Sequence, residues 1–333
     1  MWQVIGHERA IGLLDRSLKG GKLSHAYLFV GPKHVGKMTL AINLAQAVNC
    51  LGQERPCGEC SQCKRIEEGK HPDVQVVAVQ SETKTEIGID QIRELEHSSI
   101  LPPYEGRHKV FVIEGAQRLS DEASNCLLKT LEEPPPGVLI ILLAENERVL
   151  LPTILSRCQI VELRPLPVPL IEEELRRRTS PREAETLARL SSGRPGWAFS
   201  ALSDSRILKE RQEEIADILK ILSARIGERF SYASELSSRF SRSREKAFEV
   251  LNLWLSLWRD MLLIKGEACE FITNIDQVEI LQRKVDGYTI DQIKGFIQSL
   301  KEAWGQLQDN ANSRLVFEVL MLGIPEKGKA WAM

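Results

Sequence analysis

No apolar run in the 333-residue chain approaches the ~20 residues that a bilayer crossing needs, and Met1-Trp2-Gln3-Val4 does not read as the start of a secretory leader. A soluble, cytoplasmic protein is the expectation. An excess of one charge is missing as well. With 44 basic against 46 acidic residues the net charge is −2, so nothing in the total advertises nucleic acid and any DNA contact would need a local patch. The sequence also lacks the dispersed, even cysteine set of a disulfide framework. Its seven cysteines are Cys50, Cys57, Cys60, Cys63, Cys126, Cys158 and Cys269, odd in number and clustered, which points to reduced thiols and a metal.

What is present is enough chain for two or three domains, and a hydrophobic content of 43% supplies them with cores. The chain is organised around the stretch from Ser24 to Leu40. Ala26 to Val30 reads as a buried strand, Gly31 to Lys37 fits G-x-x-x-x-G-K, and Leu40 to Val48 continues as a helix. Such a loop turns backbone N–H groups and a helix N-terminus toward phosphates, while its lysine reaches the outer two. The next residue should be a Ser or Thr holding Mg²⁺; here it is Met38, whose thioether is a poor ligand for a hard cation. Thr39 comes one place late, a rotation of about 100° around a helix. ATP and Mg²⁺ binding are therefore in doubt at a degenerate site made of Gly31, Gly36, Lys37, Thr39 and Glu114.

Cys50-x6-Cys57-x2-Cys60-x2-Cys63 lies in polar, turn-rich sequence. Thiolates at these spacings can close a tetrahedron around Zn²⁺, and in so polar a segment the metal would supply most of the local fold, ~10–16 kcal/mol. Four unrelated thiols are the plain alternative. Further strands are expected at 74–79, 109–116, 138–143 and 160–163, with helices over 2–18, from 87 and over 120–131; this alternation implies a mainly parallel sheet covered on both faces. The third strand ends in Glu114, where a P-loop ATPase keeps its Mg²⁺-binding acid, but Gly115 follows and has no side chain to orient water. The proline-rich stretch from Arg164 to Pro169 is expected to break the chain into domains. Short helices over 171–178, 182–190 and 197–202 follow, and then helix to the end, with an apolar stripe from Ala247 to Leu262. His25, His34 and His71 lack metal spacing; Cys126 and Cys158 read as packing residues, and Lys129 as solvated.

Several signatures occur in order: Ser24-His25-Ala26, the four-cysteine insert, Leu127 to Pro135 (LLKTLEEPP), Leu151 to Cys158 with its Ser156-Arg157-Cys158, and Asn310 to Leu315. In these the chain resembles the AAA+ clamp-loader subunits of bacterial DNA polymerase III over essentially its whole length. The resemblance implies an α/β P-loop domain, AAA+ and RecA-like, over 1–165 with a zinc insert at 50–63, a small helical lid over 166–204 and an all-α collar over 205–333. It also implies a place in a hetero-oligomeric ring with motor (gamma/tau) and delta subunits, acting on a sliding clamp and primed DNA, with no membrane. Motor members of the family carry Ser or Thr after the loop lysine, an Asp-Glu pair after the third strand and Gly-Ser-x-Arg in the lid. Here stand Met38, Glu114-Gly115 and Gly193-Arg194-Pro195-Gly196.

Arg157 is intact, and the resemblance implies an arginine finger donated in trans to a neighbour's ATP; a surface ion pair is the plain alternative. The expectation is a subunit of a DNA-directed DNA polymerase holoenzyme, a nucleotidyltransferase, that does not itself hydrolyse ATP. Two rivals stand beside it, an ATP-hydrolysing motor in which Thr39 replaces the missing hydroxyl and a zinc-knuckle nucleic-acid-binding protein.

Overall fold

A computed structural model describes residues 2–80 and 86–326. The chain divides into two compact units, 1–174 with 193–197, and 175–192 with 198–333.

The first unit is built on five strands, β1 (Ala26–Val30), β2 (Val74–Val77), β3 (Lys109–Glu114), β4 (Val138–Ala144) and β5 (Gln159–Glu162). All pair in parallel in the order β2-β3-β4-β1-β5. The helices between them are α1 (Glu8–Lys19), α2 (Lys37–Asn49), α3 (Ser61–Glu67), α4 (Ile89–Ile100), α5 (Asp121–Glu132) and α6 (Pro152–Leu155). Because side chains alternate along a strand, β1 buries Tyr27 and Phe29 on one face with Leu14, Leu40 and Leu44, and Leu28 and Val30 on the other with Ile92, Leu95 and Leu127. Burial on both faces is what an unbroken apolar run without a polar alternate predicts.

Three expectations are corrected. The first helix begins at Glu8 rather than Trp2, since Gly6 (φ 63°) and His7 (φ 60°) are left-handed and cannot extend it. The residues ahead of it instead pack Trp2 and Val4 on the sheet. The helix expected from 171 starts earlier, inside the proline stretch: α7 runs Val168–Arg176, with Pro169 in the first turn, where the missing N–H has no helical partner to lose. The second strand also stops at Val77, two residues early.

The second unit contains α8 (Pro181–Leu190), most of α9 (Pro195–Ser203), α10 (Ser205–Ile221), α11 (Ile226–Arg242), α12 (Arg244–Lys265), α13 (Val278–Val285), α14 (Ile290–Gln308) and α15 (Ser313–Leu322). The apolar stripe of α12 is its core. Trp254 and Trp258 are fully buried, with their rings 5.8 and 4.5 Å from Phe296 and that of Trp258 5.3 Å from Tyr288. No helix among the described residues is long and apolar enough to cross a membrane.

Gly31 leaves β1 against β5, where Leu163 N–H donates to Val30 O (2.7 Å), and a Cβ on Gly31 would lie 2.2 Å from Leu163 O. Backbone on both sides leaves no flexible atom to give way. Gly31→Ala is therefore expected to lower unfolding stability by more than ~2 kcal/mol in urea titration, whereas a loss under ~0.5 kcal/mol would contradict this packing.

Candidate functional site

The glycine loop lies at the carboxyl edge of the sheet. Gly31 N–H donates to Ala144 O at the end of β4 (3.1 Å), and Gly36, at φ 114°, caps α2. Lys37 opens that helix and turns its Nζ back on the loop, donating to Gly31 O (2.5 Å) and Pro32 O (2.8 Å). Burial lowers its pKa to about 8; Glu145 opposes the shift, Lys33 adds to it and Glu114 opposes it. Glu145, one residue past β4, also stands 3.8 Å from Lys33 Nζ. Met38 is half-buried on the α1–α2 side of the sheet, and Thr39 is exposed.

Contacts from outside the motif hold the loop. His7 Nε2–H donates to Val35 O (3.0 Å) and Gly196 N–H to His34 O (2.9 Å), where a Cβ on residue 196 would also come within 2.9 Å of that oxygen. Neither contact was legible in the sequence, because both partners are far away along the chain. Glu114 is exposed at the end of β3, and Gly115 follows at φ 73°, a conformation that residues with a Cβ rarely adopt.

Arg157 occupies the opposite edge. It precedes β5, whose first residue, Gln159, pairs with Tyr27, while Gly31 lies four residues further on, just past the end of β1, about 13 Å away at ~3.3 Å per residue. The backbone around Arg157 is anchored through Ile154 of α6, which is fully buried. Its Nη1 donates to Thr153 O (2.9 Å) and Ser156 Oγ (3.1 Å), and its Nη2 forms an ion pair with Glu132 Oε1 at 2.6 Å. In the sequence Glu132 stands only within the LLKTLEEPP motif; its pairing with Arg157 needs the fold. Cys158 packs on the sheet core, where burial raises its thiol to about 12.

The four cysteines converge. Cys50 ends α2 and Cys60 caps α3, so two helix ends bring them together, and all four Sγ atoms lie within 4.8 Å of one another. Backbone N–H groups point at the sulfurs: Gly52 and Cys57 at Cys50 Sγ (3.3 and 3.4 Å), Cys60 at Cys57 Sγ (3.4 Å), Cys63 at Cys60 Sγ (3.5 Å). Hydrogen bonds from the Cys60 and Glu59 backbone pull Cys57 down to about 6, whereas burial pushes Cys63 up. Cys57 and Cys63 Sγ are 3.9 Å apart, close to the ~3.8 Å edge of a tetrahedron with 2.3 Å metal–sulfur bonds. The donor set fits a single soft or borderline divalent cation, whose charge would compensate the buried thiolates.

Comparison with known proteins gives three results. A family profile described as DNA polymerase III, delta subunit, matches residues 6–167. The chain is 30% identical over 320 residues to DNA polymerase III subunit delta' of Bacillus subtilis (strain 168), covering 96% of each, and 36% identical over 213 residues to DNA polymerase III subunit tau of Escherichia coli (strain K12), covering 61% of this chain and 32% of tau. A solved gamma subunit-related protein of Thermotoga maritima aligns over 93% of this chain and 98% of its own at 16% identity, with a TM-score of 0.39.

The cysteine geometry yields a measurable outcome. The purified chain should carry one tightly held metal equivalent, and Cys60→Ala should remove it and lower the melting temperature. Full metal content in that variant would overturn the assignment of this cluster as the ligand set.

Proposed function

Since the chain belongs to the family of the bacterial DNA polymerase III delta' subunit, we propose that it is a clamp-loader subunit of the replicative holoenzyme, inactive as an ATPase, that donates Arg157 in trans. The observation that carries this reading is the separation of charges across the sheet. Arg157 stands at the amino edge and Lys37 at the carboxyl edge, so the guanidinium cannot serve its own loop and is available only to a nucleotide on another subunit. There its planar fork would offset charge on the transferring phosphoryl group.

The chain's own pocket is short of the parts that hydrolysis needs. Met38 has no oxygen for Mg²⁺, Thr39 is exposed, and Gly115 supplies no water-orienting carboxylate. Gly31, Gly36, Lys37 and Glu114 retain the outline of a nucleotide site. The role is then geometric, a fixed member of a ring with gamma/tau and delta subunits that opens the sliding clamp and places it on primed DNA.

On this reading 1–165 is the AAA+ domain, 166–204 the lid and 205–333 the collar. Leu315, Val319 and Leu322 support the last assignment, since they recur on one face of α15 at 59%, 67% and 55% exposure and suit a helix packed against a neighbouring subunit. The cysteine cluster would hold a structural Zn²⁺, closed by four protein ligands with no open position for chemistry.

Phosphate release by the isolated chain is expected to stay at background; hydrolysis abolished by Lys37→Ala would favour a motor instead. In a complex reconstituted with the motor and delta subunits, Arg157→Ala should leave assembly intact and slow turnover at the facing site by on the order of 10³. An unchanged rate would overturn the finger assignment.

A further inference from the structure

Arg157 does not extend freely from its loop. Nη1 is committed to Thr153 O and Ser156 Oγ, Nη2 to Glu132, and Nε has no partner among the described residues. One edge of the guanidinium fork is thus fixed within the chain, and donors remain on the other.

Both halves of the ion pair rest on anchored backbone. Glu132 is the last residue of α5, directly after Leu131, which is buried, and Leu131 O accepts a hydrogen bond from His25 Nε2–H at 3.1 Å, at the entry to β1. On the other side, the fully buried Ile154 fixes α6 in the same core. A carboxylate at a helix C-terminus faces the negative end of the dipole, so Glu132 gains no support from its own helix, and the cation beside it is Arg157. A device for retracting the finger would join a mobile element to a fixed one. Here two fixed elements join, and the pair holds the guanidinium in place.

We infer that Glu132 is the positioning residue of Arg157, orienting its guanidinium before a neighbouring subunit's phosphate arrives. The inference rests on the trans role proposed above and names the residue that makes it effective. An arginine must otherwise give up its rotamer freedom when the phosphate docks, and orientation in advance removes that cost from the transition state. The pair is half exposed, at 32% for Arg157 and 51% for Glu132, so its removal should leave the melting temperature near that of the parent.

The test uses the reconstituted complex and four variants of this chain. Glu132→Ala should lower kcat at the facing site about tenfold while KM for ATP stays within about twofold. Glu132→Gln keeps an acceptor oxygen for Nη2 and should recover most of the rate. The double variant Arg157→Ala/Glu132→Ala should be no slower than Arg157→Ala alone, because Glu132 acts through Arg157. A faster Glu132→Ala complex would make the carboxylate a restraint and overturn the inference. So would an unchanged Glu132→Ala rate beside a slow Arg157→Ala, or a double variant slower than Arg157→Ala. If Arg157→Ala itself left the rate unchanged, the trans reading would fall, and this assignment with it.

Discussion

Strand β1 is hydrogen-bonded on both sides, to β4 and β5, and buried on both faces, so neither its direction nor its register can slip without exposing a row of apolar side chains. That single constraint separates the chemistry of the first unit. Whatever follows a strand lies at one edge of a parallel sheet, and whatever precedes a strand lies at the other. Gly31 to Lys37, Glu114 and Glu145 fall on the first edge; His25, Glu132 and Arg157 fall on the second. The glycine loop and the Arg157 guanidinium therefore lie in one unit at opposite edges of its sheet.

The altered pocket keeps its shape because its contacts are internal. Lys37 satisfies carbonyls of its own loop, and His7 and Gly196 hold Val35 and His34 from outside. Burial drives the lysine amine toward neutrality, and the Glu145 carboxylate works against that shift. A loop tied in this way holds its shape with no hydroxyl at residue 38 and no carboxylate at residue 115.

The cysteine knuckle is joined to the sheet by polar contacts. Asn49, one residue before Cys50, accepts from Arg107 and His108 N–H (2.8 and 2.9 Å), and Asp73 accepts from Tyr104, Glu105 and Gly106 N–H (2.6, 2.9 and 2.7 Å). From α2, Gln46 donates to Cys63 O (2.9 Å). These bonds fix the approach to β3 relative to the end of α2, so the cysteine-rich segment and the sheet support each other. Buried polar groups satisfied this fully give a unique arrangement, since any other would leave donors or acceptors unpaired.

Local pattern was enough to locate the strands, the glycine loop, the clustered thiols and the stripe of α12, because each is a repeat or spacing among residues near in sequence. That residue 38 carries no hydroxyl and residue 115 no carboxylate was equally legible, since a residue type either has a given atom or lacks it. Helix starts were less so: left-handed backbone at Gly6 and His7 delays α1, and α7 starts at Val168, with Pro169 in its first turn, rather than at 171. Only the tertiary structure decided that Arg157 meets Glu132, that His25 secures the end of α5, and that Gly196 rests on His34. Those partners are 25, 106 and 162 positions apart, and which of them come within 3 Å or so depends on strand order and register, which no local spacing records.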